Sequence, residues 1–179
     1  MLKRYISLAL ILVLCASGCG YTTRSLLPSN YKTIYVDSFG NKIKITAEQS
    51  NVRMYRGYRP GLEAEITKAV IDKFLFDGNL RIASEPSANI ILKGELVDFR
   101  KESLRYDAND NIEEFRLVLT VDIELIDPAD DKVVWKEKNF SGETTYRTSG
   151  PLAIDESTAV KNGVEDLARR IVERTVEGW

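Results

Sequence analysis

From Phe115 to Leu125 the chain alternates with a period of two. Phe115, Leu117, Leu119, Val121, Ile123 and Leu125 take one parity, and Arg116, Thr120, Asp122 and Glu124 take the other. Val118, and Ile126 just beyond, interrupt the polar parity. Successive side chains of a strand point to opposite faces, so this stretch predicts a strand with one buried and one wet face. Such a strand belongs in an antiparallel sheet covered on a single side.

The flanking segments supply the rest of that architecture. A strand is predicted from Asn89 to Tyr106, a turn at Asp107–Asn111, the alternating return from Glu113 to Ile126, and a last strand from Lys132 to about Tyr146 with Trp135 and Phe140 in it. Earlier, Lys32–Phe39 is β-rich and stops at Gly40, and Leu80–Ala83 can form a further short strand. Two segments repeat at helical spacing instead. The first starts at Pro60, read as the first helical residue, places Leu62, Ile66, Ala69, Val70, Lys73 and Phe74 on one face, and ends at Gly78. The second runs from about Pro151 to Val176, with Val160, Val164, Leu167, Ala168, Ile171 and Thr175 on its face. The expected fold is α+β, a two-layer sandwich in which two helices cover one face of a mixed or antiparallel sheet of about four strands.

The N-terminus carries a separate instruction. Lys3 and Arg4 precede an apolar run from Tyr5 to about Cys15, followed by Ala16, Ser17 and Gly18. That is the layout of a secretory signal peptide, and the run is too short to cross a bilayer, which takes roughly 20 residues. Ala16-Ser17-Gly18-Cys19 resembles the lipobox of bacterial lipoproteins, with Ala16 where Leu is commoner. The resemblance implies removal of residues 1–18, acylation of Cys19, a tether over residues 19–31 and one domain over 32–179. Gly20 is not the Asp associated with retention at the inner membrane, so the expected address is the periplasmic side of the outer membrane, held by acyl chains in the outer-membrane lipid.

Composition narrows the chemistry. The chain has no histidine, and its two cysteines are Cys15, lost with the signal, and Cys19, taken by lipid. Histidine-dependent general bases, Ser-His and Cys-His nucleophiles and most zinc sites are thereby excluded. No G-x-S-x-G, P-loop or G-x-G-x-x-G pattern occurs. Asp107, Asn109 and Asn111 begin like a calcium loop, but Ile112 holds its glycine position and Val118 its bidentate glutamate position, so a polar turn is expected. No catalytic residue, cofactor or metal is assigned. Taking Lys3 and Arg4 from the 25 basic residues leaves 23 against 27 acidic ones, a balance that does not favour nucleic acid as a partner.

One stretch is locally basic. Between Gly40 and Arg59, read as a long loop, Lys42, Lys44, Arg53, Arg56 and Arg59 face the single acid Glu48, with Tyr55 and Tyr58 interleaved. It can bind phosphates or bases, or it is a solvated loop whose tyrosines pack on their own domain.

The order of these pieces resembles one family. A lipobox followed by CGY, then YRPGLEAEITKAVIDKF, ILKGELVDFRKESLRYD, FRLVLTVDIELID and VVWKEKNFSGETTY is similar to the lipopolysaccharide-assembly lipoproteins of the LptE family, over nearly all of the chain after Cys19. The resemblance implies an α/β sandwich without catalytic activity that sits in the lumen of the outer-membrane barrel LptD, plugs it, helps it assemble and contacts lipopolysaccharide.

Lipid A phosphates call for Lys or Arg. The candidates are Arg100, Lys101 and Arg105 on the long hairpin and Arg147 after the last strand. By parity Lys101 and Arg105 share a face and Arg100 points the other way. The competing reading is cross-strand pairing, with Arg105 facing Glu113 or Glu114. Two other functions stay open: an accessory lipoprotein of another inter-membrane lipid-transport system, and a periplasmic hydrolase built on paired carboxylates.

Overall fold

The computed structural model describes residues 27–28, 30–43, 49–50 and 54–177. In chain order the elements are β1 (Thr33–Val36), β2 (Gly40–Asn41), β3 (Gln49–Ser50), β4 (Met54–Arg56), α1 (Leu62–Asp77), β5 (Arg81–Ile82), β6 (Ile90–Tyr106), β7 (Ile112–Asp127), β8 (Lys132–Arg147) and α2 (Glu156–Glu177). The α+β sandwich is as expected, but its sheet is larger than four strands; the described residues form eight.

The reason is β6. It is 17 residues long, and β7 satisfies one of its edges almost from end to end. The other edge needs partners too, and three short segments share it. β1 pairs in parallel with Ile90–Leu92, β2 in parallel with Glu95 and Leu96, and β4 antiparallel with Arg100–Glu102. The Gly40–Arg59 segment is therefore not the long loop expected from its composition. Its described residues add β2, β3 and β4 to the sheet, because an unpaired strand edge is costly to leave open. The short strand after α1 is present as β5, on β1.

Both helices lie on one side. Leu62, Ile66, Val70 and Phe74 of α1 are fully buried, as are Ala159, Val160, Leu167 and Ile171 of α2. They cover the predicted face of β7, where Leu117, Leu119, Val121, Ile123 and Leu125 are at most 1% exposed. Thr175 is buried within α2's apolar face because its hydroxyl donates to the Ile171 carbonyl at 2.8 Å. Lys73, counted on the face of α1, instead places its ammonium over the exposed Phe76 ring at 5.2 Å.

Helix starts differ from expectation in both cases. Pro60 is not the first helical residue: α1 starts at Leu62 after Gly61, whose φ of 85° is left-handed. α2 starts at Glu156 rather than near Pro151, since Asp155 caps it. The Asp155 carboxylate accepts the Thr158 amide at 2.9 Å and its hydroxyl at 2.7 Å. The C-cap of α1 is Gly78, as predicted, at φ 76° with its N–H on the Phe74 carbonyl.

The pairing gives the molecule two ends. At the base, β1 and β6 start, β7 ends and α1 stops, with Arg81 N–H donating to the Lys32 carbonyl at 3.0 Å. Tyr31, where the chain enters, donates its hydroxyl to Asp127 at 2.8 Å. At the tip, the β6–β7 hairpin turns through Asp107–Asn111. Asp107 Oδ1 accepts the amides of Asn109 at 2.8 Å and Asn111 at 2.9 Å. That is the polar turn expected, with Asp110 at φ 62°.

Candidate site on the open sheet face

The side of the sheet away from the helices is where the even-numbered residues of β7 point. Directly paired residues share a face, so the register assigns every candidate. Arg100 pairs with Val118 and stands on the open face. Lys101 pairs with Leu117 and faces the helices.

Arg105 departs from the parity reading. The register shifts between Ser103 and Arg105, so that Ser103 pairs with Phe115 but Arg105 pairs with Glu114. One inserted residue turns the following side chain to the other face. Arg105 therefore joins Arg100 rather than Lys101. Arg147 pairs with the same Glu114 from β8, and so lies on that face as well. The structure thus brings Arg100, Arg105 and Arg147 onto one surface and separates Lys101 from them.

Two further arginines share that surface. Arg116 pairs with Glu102 on one side and Thr145 on the other, and Arg56 of β4 pairs with Arg100. Arg116 was legible as an outward residue of β7, though not as part of a basic set. Arg56 was read from the sequence within the basic Gly40–Arg59 stretch, but its place on this face depends on β4 docking against β6.

Acids are interleaved with these cations. Arg56 Nε donates to Asp98 at 2.6 Å, and Asp98 is only 8% exposed. Arg105 lies 3.5 Å from the Glu114 carboxylate, the cross-strand pairing weighed from the sequence. Arg100 stands 3.5 Å from Asp98 and 3.6 Å from Glu102, and Arg116 4.0 Å from Glu143. At those separations ion pairs form without good hydrogen bonds, and the Nε atoms of Arg100 and Arg116 are buried with no acceptor. For Arg147 no ion pair occurs among the described residues. The face is a mixed-charge surface in which arginines and carboxylates alternate.

Lys101 stands on the helix side of the sheet, paired within the domain. Its ammonium bonds Glu156, in the first turn of α2, at 2.7 Å and sits 5.1 Å over the Phe115 ring. Phe115 stacks on Tyr146 with ring centroids 5.6 Å apart, and the Tyr146 hydroxyl reaches the same Glu156 at 3.3 Å. Burial, and then the nearby Glu156 carboxylate, push the Tyr146 hydroxyl well above its ordinary pKa of 10.0. This cluster fastens α2 to the sheet.

The basic segment before α1 is also tied to its own domain. Tyr55 packs edge-on against Phe99 with centroids 6.4 Å apart, Tyr58 donates to Glu63 at 3.3 Å, and Lys42 pairs with Glu95. Lys44, Glu48 and Arg53 lie outside the described residues, as does Cys19. Among the described residues no group of three or more His, Cys, Asp or Glu side chains is placed to hold a metal ion. No helix there is long and apolar enough to cross a membrane.

In fold the chain is similar to several solved bacterial proteins. One from Xanthomonas campestris superposes with a TM-score of 0.54 at 11% identity, covering 87% of this chain and 91% of that one. An uncharacterized lipoprotein B from Nitrosomonas europaea gives 0.53 at 13%, covering 84% of each. A hypothetical protein from Chlamydia trachomatis gives 0.51 at 10%, covering 80% of this chain and 95% of that one. At such identities the likeness speaks for the fold. No curated protein matches the sequence. The family model described as LptE, lipopolysaccharide-assembly, matches residues 31–175, from the tyrosine that enters the base to the buried threonine of α2. This chain belongs to the LptE family of lipopolysaccharide-assembly proteins.

Proposed function

We propose that this chain is an acylated lipoprotein on the periplasmic side of the outer membrane that occupies the lumen of an LptD-type barrel, supports its assembly and contacts lipopolysaccharide. The observation that carries the reading is the family match over residues 31–175. The geometry supports it. The open sheet face is polar and charged, as suits a surface set against the polar interior of a large barrel. It offers the arginines as phosphate contacts: Arg100, Arg105 and Arg147, with Arg116 beside them. The absence of an ion pair at Arg147 among the described residues and the long pairs of Arg100 and Arg116 favour this use, since the neighbouring carboxylates do not take up all of these guanidinium donors.

The test is a pull-down of the tagged, lipidated protein from detergent-solubilised outer membranes, followed by mass spectrometry. A stoichiometric LptD-type barrel is expected. Recovery of inner-membrane transporter subunits without a barrel would overturn the reading in favour of another lipid-transport system.

A further inference from the structure

The base of the fold exposes an apolar pair that the core does not use. Leu75 is 63% exposed and Phe76 86%, side by side in the last turn of α1. A large aromatic that is almost wholly in water gives up the transfer free energy that Phe74, two residues earlier and fully buried, gains. Lys73 holds its ammonium over the Phe76 ring, and Lys32 and Arg81, both exposed, lie at the same end of the fold, where β1 and β5 start. Apolar tips with basic side chains around them are the arrangement that settles at a lipid interface, the rings among the acyl chains and the ammonium groups at the headgroups.

The position of the pair says which surface it meets. Its helix ends at the base, where Tyr31 brings in the chain from the lipobox-like cysteine. From Cys19 to Tyr31, at roughly 3.5 Å per residue, the tether reaches at most about 40 Å. Because the tether enters at the base, that end of the domain is the one attached to the bilayer. We infer that Leu75 and Phe76 insert into the phospholipid surface that holds the acylated N-terminus, and that the domain is thereby seated on the membrane at two points, the lipid on Cys19 and the end of α1. The inference rests on the lipid anchor of the proposed function but not on the barrel or on lipopolysaccharide.

The acylated full-length protein, reconstituted into phosphatidylethanolamine–phosphatidylglycerol vesicles, tests it. An environment-sensitive fluorophore is attached to Phe76→Cys and, as a control at the opposite end, to Asn109→Cys; both sites are exposed. The label at position 76 is expected to shift to the blue and to be quenched by brominated acyl chains, while the label at 109 does neither. If the protein floats with the vesicles but position 76 stays unquenched, the anchor stands and the second contact is refuted. If the protein does not float, the anchor fails and the inference with it. A blue shift that depends on protein concentration without vesicles, or that requires a co-purified barrel, assigns the pair to a protein contact and equally overturns it.

Discussion

Gly142 of β8 lies against the backbone of Leu167 in α2: a Cβ at position 142 would stand 2.6 Å from the Leu167 Cα and amide nitrogen. Backbone cannot step aside as a side-chain tip can, so Gly142→Ala must push the helix off the sheet. We expect a loss of about 1–3 kcal/mol, which at this chain length lowers Tm by about 2–4 °C per kcal/mol. Gly163→Ala is the comparison, because its nearest neighbour is the Leu119 Cδ1 methyl at 2.7 Å. That group can rotate, and alanine is the better helix former by about 1 kcal/mol. Thermal unfolding should rank Gly142→Ala clearly below Gly163→Ala; equal values would contradict the close helix–sheet contact.

Leu119 is fully buried at the centre of that contact. Leu119→Ala should cost about 2–5 kcal/mol, and Leu119→Asp should prevent folding, since it leaves an unpaired charge in the core. Circular dichroism under urea distinguishes the two, and a stable Leu119→Asp protein would show the face assignment to be wrong.

Asp166 in α2 gives acid sensitivity a specific origin. Burial acts to raise its pKa, but hydrogen bonds from Arg169 at 2.5 Å, the Glu143 amide at 3.1 Å and Arg170 at 2.7 Å outweigh it and hold the carboxyl below its ordinary 3.8. A depressed folded-state pKa stabilises fully above the unfolded value and loses that contribution as pH falls through the folded one. Asp166→Asn should therefore cost about 1–2 kcal/mol at pH 7, with the gap to wild type narrowing below about pH 4. Urea titrations at the two pH values measure it, and a gap that persists unchanged in acid would place the effect elsewhere.

Lys101 and the arginines should separate by assay. Lys101→Ala removes the tie to Glu156 at the start of α2 and is expected to lower stability while leaving lipopolysaccharide binding intact. Charge reversal at Arg100, Arg105 and Arg147 should do the opposite, weakening binding with the fold preserved. Surface plasmon resonance on lipopolysaccharide, paired with thermal melts, reads both. If Lys101→Ala weakens binding as much as the triple variant does, the division of the two faces has no functional meaning.

Cys19→Ala should yield a chain that is translocated but not acylated. Metabolic labelling with palmitate reports it directly, and label retained in the variant would refute the lipobox assignment.

Most of the fold was legible because its signals are local. The alternation over Phe115–Leu125, the apolar faces of both helices and the Asp107–Asn111 turn each follow from residues within one element's reach. The site was less legible. Parity assigned Arg100 and Lys101 to opposite faces correctly, because no irregularity lies between them. It misplaced Arg105, because the shift after Ser103 leaves no mark in a run of residues that all tolerate a strand.

By itself, then, the sequence determined the two-layer sandwich, the buried parity of β7 and the family, since periodicity and segment order are properties of the chain. The tertiary structure alone decided that β1, β2 and β4 would share the second edge of β6, and that Arg56, Arg100, Arg105, Arg116 and Arg147 would occupy one surface. Both outcomes are set by hydrogen bonds between residues far apart in sequence. A strand edge takes whichever segment reaches it, and a single-residue slip in register exchanges the faces of everything that follows.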